Sequence, residues 1–172
     1  TNAAGCPRVL VQSRTKPDWK NIGIKGWLDY ADPAVDLKHK LSLDLLKMEQ
    51  RFRFRLRANP CVTRNGKRLG LFIVEEQERW IERKGLQHGF SLPIIISTED
   101  AEFSKKRVNV GICQEQMLRG NQHSGNAVRI FSVLYDGILR VTDPDRFKDA
   151  LQTGIGHGKV MGLGLLSVMP IS

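Results

Sequence analysis

Only three of the 172 residues are cysteine, and Cys6, Cys61 and Cys113 are widely separated, odd in number and in no C-x-x-C pair. That argues against a disulfide framework and a thiolate zinc site, and makes a reducing cytoplasm the expected setting. Histidine is scarce as well: His39, His88, His123 and His157 stand at no metal-ligand spacing with one another or with a cysteine, so neither metal nor cofactor is expected. Aromatic residues make up 7% of the chain, and the stacking-aromatic signature of RNA-recognition motifs is missing, so any RNA contact must rest on charge, shape and backbone donors. The longest apolar runs, residues 92–96 and 163–169, fall far short of the ~20 residues that span a bilayer, and no charged-then-apolar leader opens the sequence. No membrane partner and no export are expected. The chain starts at Thr1 without Met and enters the apolar segment Val9-Leu10-Val11 almost at once, as though it began partway through a domain.

Negative charge is in short supply too, with 18 Asp+Glu against 27 Lys+Arg and a net charge of +9. The excess is local. Residues 51–68 hold Arg51, Arg53, Arg55, Arg57, Arg64, Lys67 and Arg68 and no acidic residue, whereas Glu75, Glu76, Glu78 and Glu82 follow directly. Positive charge gathered in this way is the footprint of a phosphate-bearing partner.

The run Arg51-Phe52-Arg53-Phe54-Arg55-Leu56-Arg57 alternates strictly, which predicts a strand with Phe52, Phe54 and Leu56 on one face and four guanidinium groups on the other. Arg8–Gln12 and Leu69–Val74 also read as strands, and Ala34–Leu46 as a weaker helical stretch. Glu75–Lys84 reads as a helix with Gly85 at its C′ position. Phe90–Ile96, Val108–Cys113, Val128–Leu134 and Ile138–Val141 read as strands, the last two joined by an Asp-Gly turn at Tyr135-Asp136-Gly137. A second helix is marked by Asp143 as N-cap, Pro144 at N1 and Gly154 as its end, and Leu165–Met169 forms the last strand. The pattern after residue 68 is that of an α+β, ferredoxin-like (RRM-like) unit. The expected division is residues 1–63 as the remainder of a first such domain and residues 64–172 as a second, with a turn near Arg64-Asn65-Gly66-Lys67 between them.

Three segments could carry chemistry. A solvated strand face accounts for some of the arginines at 51, 53, 55 and 57, but four forked, permanently charged donors without Lys, Glu or Thr among them favour contact with nucleic acid. The segment Gly154–Gly164 packs five glycines into eleven residues between a helix and a strand, with Lys159 inside it. It fits neither a Walker loop nor a dinucleotide fingerprint, since Gly154 and Gly158 are too close, Val160 follows the lysine, and a helix precedes the segment. Gly154 alone reads as a helix cap; Gly154, Gly156, His157, Gly158 and Lys159 together read as backbone turned toward RNA. His157 is the one histidine placed to move a proton near a phosphate. The third segment, Arg119 to Arg129, is a basic polar hairpin including Gln122 and His123, suited to a groove or loop of structured RNA.

Val9–Ser13 with Pro17-Asp18-Trp19, then Arg51–Pro60, Gly66-Lys67-Arg68, Leu134–Gly137 and Gly154–Pro170, in that order, resemble the CasE-type CRISPR repeat endoribonucleases of type I-E Cascade complexes. The resemblance runs from about residue 5 to the end. It implies tandem ferredoxin-like domains, the first incomplete at its N-terminus, and metal-independent cleavage of the repeat stem-loop in precursor CRISPR RNA. Retention of the 3′ hairpin, with other Cascade subunits as partners, chiefly the backbone subunit next to the 3′ end, is implied as well. In that chemistry a ribose 2′-OH attacks the adjacent phosphate while a histidine moves protons and basic groups stabilise the developing charge. The family's catalytic histidine and tyrosine lie on the first helix of the first domain, and no residue of this sequence corresponds to them. The alternative is a subunit that binds the RNA hairpin without cleaving it.

Overall fold

The computed structural model describes residues 8–22, 26, 28–97, 105–121, 125 and 127–171. Gln122 and His123 lie outside them. The chain divides into two compact units, residues 1–42 and 43–172.

The first unit is mostly extended, with a 3-10 turn at Trp19–Asn21 and one turn of helix, α1 (Leu37–Lys40). Each starts on an aspartate: the Asp18 carboxylate accepts from Lys20 N at 3.0 Å and the Asp36 carboxylate from Lys38 N at 2.9 Å. The strand expected at Arg8–Gln12 is not formed, and Val9, Leu10 and Val11 are exposed. A strand needs a neighbour for its ladder, and among the described residues of this unit none is present. The helix expected over Ala34–Leu46 shrinks to α1 and a separate 3-10 turn at Leu43–Leu45, because Leu41 and Ser42 leave helical geometry, Ser42 at φ 48°.

The second unit contains the arginine strand β1 (Arg51–Ala58), the hairpin β2 (Cys61–Arg64) and β3 (Lys67–Gly70), and helix α2 (Val74–Gln87). Short strands β4 (Phe90–Ser91), β5 (Ile94–Ser97) and β6 (Lys105–Val108) follow, then the long pair β7 (Val110–Asn121) and β8 (Ala127–Val141). Helix α3 (Pro144–Thr153) and strand β9 (Leu166–Pro170) complete it. The main sheet runs β4-β8-β1-β9 with β7 also on β8, every pair antiparallel. Taking β1, the β4/β7 edge, β8 and β9 as the four strands, with α2 and α3 as crossovers, this is the ferredoxin-like order. Strand β1 is thus the opening strand of this unit, so the structural division falls at 42/43, ahead of the 63/64 expected from the turn residues. That turn, Asn65 at φ 49° and Gly66 at φ 71°, joins β2 to β3 inside the unit.

The alternation of β1 sets the core. Phe52, Phe54, Leu56 and Ala58 are buried, and α2 and α3 cover this face: Phe147 meets Phe52 at 5.6 Å and Trp80 stacks on Tyr135 at 5.8 Å between ring centroids. Helix α3 begins and ends as expected, with the Asp143 carboxylate accepting from Asp145 N and Arg146 N and Gly154 at φ 74° as C-cap. Helix α2 runs past the expected stop to Gln87. Gly85 is there for packing, since a Cβ would lie 2.7 Å from Phe90 O.

The Asp-Gly turn expected at residues 135–137 is absent, because β8 passes through it unbroken. Tyr135 is buried, Asp136 pairs with Arg55, and Gly137 is not in the positive-φ region that such a turn requires. Among the described residues no helix is long and apolar enough to cross a membrane.

Candidate nucleic-acid interface

The exposed side of β1 is the arginine face. Arg53, Arg55 and Arg57 sit opposite Ile138, Asp136 and Leu134 of β8, and Arg53 and Arg55 also sit opposite Met169 and Ser167 of β9. The four guanidinium groups differ in what they have left to offer. Nε and Nη2 of Arg55 both donate to Asp136 Oδ2, at 2.8 and 2.5 Å, so its side-on fork is taken. Arg57 donates through Nη1 to Gln114 O at 3.3 Å and Ser132 Oγ at 3.4 Å, and through Nη2 to Gln114 Oε1. Among the described residues Arg51 and Arg53 have no side-chain hydrogen bond or ion pair. Arg140, opposite Arg51, is held by Glu49 at 2.8 Å.

The glycine segment borders this face and is tied to β1 by its backbone. Gly164 N donates to Arg57 O at 2.7 Å, and Ile155 N donates to Gly164 O at 2.8 Å, which folds the segment into a closed loop. All five glycines have positive φ, from 74° to 88°. Four of them are also pressed against the protein: a Cβ at Gly154 would lie 2.7 Å from Gly164 O, one at Gly164 2.7 Å from Ile155 O, one at Gly156 3.2 Å from the Trp80 ring, and one at Gly158 3.0 Å from Leu163. Only Gly162, the αL cap of a 3-10 turn at Lys159–Met161, has open space. Close packing therefore explains most of the glycines, and the groups this loop turns outward are His157, Lys159, Val160 and Met161.

On the other side of the loop, His157 bridges to Asn59 just beyond the end of β1. Its imidazole is held below the ordinary histidine range by partial desolvation and by Arg68, Lys84 and Lys159 around it. Lys84 is itself pushed down by burial, with Arg83 and Lys159 adding repulsion, and lies 6.0 Å over the Trp80 ring. The basic cluster thus draws on β3, α2 and the loop. Sequence reading missed Lys84 as a member because it serves equally well as a basic residue closing a helix, and Arg68 was visible only as part of a charge run.

The basic hairpin is formed by β7 and β8, with Arg119 and Arg129 directly opposite and both exposed. Gly120 places this arm against the loop, since a Cβ there would lie 3.5 Å from Met161 Cε. Lys105, Lys106 and Arg107 lie on β6, which pairs with β5 and leads into β7. Arg107 is engaged by Glu78 at 2.5 Å. Among the described residues no three His, Cys, Asp or Glu side chains converge as metal ligands would.

Arginine face, glycine loop and arm therefore meet around one end of the sheet. Residues 1–170 match the family model described as CRISPR associated protein. The chain is 36% identical over 172 residues to the CRISPR-associated endoribonuclease Cse3 of Thermus thermophilus, covering 95% of this chain and 74% of that protein. It is 31% identical over 127 residues to the CRISPR system Cascade subunit CasE of Escherichia coli K12, covering 69% of this chain and 57% of the relative. Among solved structures, Thermus thermophilus Cse3 bound to an RNA representing a pre-cleavage complex superposes with TM-score 0.60 at 38% identity, over 73% of this chain and 56% of that one. The order of the motifs, the strand order of the sheet and these likenesses agree, and the chain belongs to the CRISPR associated protein family, in its CasE-type branch.

Proposed function

We propose that this protein processes CRISPR RNA: it binds the repeat stem-loop of the precursor through the arginine face, the glycine loop and the β7–β8 arm, cleaves beside it without a metal, and keeps the 3′ hairpin as a subunit of a cytoplasmic Cascade complex. The observation that carries this reading is the convergence of those three basic surfaces in a chain 36% identical to an endoribonuclease. Arg51, Arg53, Arg57, Arg119, Arg129 and Lys159 act as phosphate and groove contacts, and Gln122 and His123, outside the described residues, belong to the same reading. Arg55 has a mainly structural task opposite Asp136. Gly154, Gly156 and Gly158 serve by shaping the loop. His157 is the candidate acid or base within this chain: cations around a partly desolvated imidazole favour its neutral form, as a proton acceptor requires.

A second reading is that the chain holds the hairpin without turnover. Incubating the 172-residue chain with a labelled repeat hairpin in EDTA separates the two. Product that disappears in His157→Ala assigns the chemistry to the loop, and tight binding without product leaves the holding role. A chain that neither binds nor cleaves the hairpin defeats both readings.

A further inference from the structure

Strand β7 does not run evenly along β8. Its register shifts between Cys113 and Gln116, and Gln114 within the shift sits at φ 50°, where side chains other than glycine are strained. Gln114 and Glu115 stand where a regular strand would place one residue, and they go to different tasks. Glu115 Oε1 accepts from Gln77 Nε2 at 2.6 Å, Gln77 being a buried residue of α2, while Gln114 presents both its backbone carbonyl and its side-chain carbonyl to Arg57.

A guanidinium has two bidentate edges, the end-on pair Nη1/Nη2 and the side-on pair Nε/Nη2. Gln114 accepts once from Nη1 and once from Nη2 of Arg57, and Ser132 Oγ takes a further Nη1 contact at 3.4 Å. Nε has no partner among the described residues, and Nη2 keeps a second hydrogen beyond its bond to Gln114 Oε1, so the side-on pair can still grip a ligand. One position along, Arg55 shows the reverse, its side-on edge filled by Asp136. Arg57 lines a shallow concavity with Gln114, Gly162, Leu165 and Ser167, and its carbonyl anchors the glycine loop through Gly164 N.

We infer that the β7 bulge is a positioning device, in which Gln114 orients Arg57 so that its open side-on edge takes two oxygens of one RNA backbone phosphate in the concavity beside Gly162. This rests on the RNA-holding reading above and names the residue and edge that grip one phosphate. Gln114 touches no RNA; it works through Arg57. The φ of 50° at Gln114 is a local strain that its bonds to Arg57 help to hold.

The test is a double-mutant cycle on hairpin binding by the 172-residue chain, measured over a range of salt concentrations with a labelled repeat-derived RNA hairpin. Arg57→Lys keeps the charge and loses the fork, so affinity is expected to fall about tenfold with an unchanged slope of log K against log salt. Gln114→Ala is expected to weaken binding about three- to tenfold, also at constant slope, because one acceptor that orients the arginine is gone. In the Arg57→Lys background the Gln114 change is expected to have no further effect. Gln114→Gly, which accepts the backbone angle without strain, should weaken binding while raising or preserving the unfolding midpoint, so lost affinity is separated from lost fold. Equal affinity in wild type and both Gln114 variants, or full additivity with Arg57→Lys, overturns the inference while leaving RNA binding standing. A wild-type chain with no affinity for the hairpin removes the reading beneath it.

Discussion

Replacing Gly164 and Gly162 separately by alanine tests whether the glycine loop is built by packing or by free access to a ligand. At Gly164 the φ of 88° costs an L-residue about 1–2 kcal/mol on its own. The new Cβ would also stand 2.7 Å from Ile155 O, closer than real Cβ atoms approach, so the backbone must move. That movement stretches the bonds Ile155 N→Gly164 O at 2.8 Å and Gly164 N→Arg57 O at 2.7 Å. Each contributes about 1 kcal/mol, so Gly164→Ala should lose roughly 2–4 kcal/mol in all. At about 2–4 °C per kcal/mol this lowers the unfolding midpoint by roughly 5–15 °C. Gly162→Ala has a similar φ of 76° but open space, so only the conformational cost of about 1–2 kcal/mol applies. Urea and thermal unfolding of the two variants beside wild type read the difference directly. Because Gly162 lines the concavity next to Arg57, its alanine variant should lose hairpin affinity out of proportion to its small loss of stability. Equal unfolding midpoints for the two variants would refute the packing argument.

Further outcomes follow from the site. Arg53→Ala, which breaks no internal bond, should reduce the salt slope of hairpin binding by about one with little change in stability; an unaltered slope removes Arg53 from the interface. Lys159→Ala should likewise flatten the slope by roughly one unit, and binding unaffected at every salt concentration would restrict the loop to a structural part. Arg55→Ala should change stability by no more than about 1 kcal/mol, since its pair with Asp136 is largely solvated. The imidazoles of His88 and His157 are both held down, desolvation being the first cause and Lys84 and Lys159 adding to it. The unfolded chain therefore takes up protons first, near pH 6.5, and the folded chain only at lower pH. The histidine share of stability is present above about pH 6.5 and is lost as the pH falls toward the folded-state values. Between pH 7.5 and 5 the unfolding free energy of wild type should fall relative to that of the His88→Gln, His157→Gln variant; a wild type that gains on the variant toward low pH contradicts the sign.

What could be read from the chain beforehand was whatever depends on short-range regularity. The alternation of residues 51–57 specifies both a buried face and an arginine face, since successive strand residues point to opposite sides. Asp143, Pro144 and Gly154 mark a helix because caps act within one turn, and the structure places all three as expected. Where a residue type serves two ends, reading failed. Asp136-Gly137 suits a turn or a strand, and the ladder with β1 decided for the strand. Gly85 suits a cap or a close approach, and Phe90 decided for the approach.

The primary structure alone thus settles the polarity of the arginine strand, the ends of α3 and the concentration of positive charge, because each depends on neighbours a few residues apart. Which arginines remain available, why four of the loop's glycines are needed, and how β7 bulges to hold Arg57 depend on partners remote in the chain, such as Gln114, 57 residues from Arg57, and Asp136, 81 residues from Arg55. Only folding brings those partners within hydrogen-bonding reach, so the tertiary structure decides which of the charges are left for a ligand.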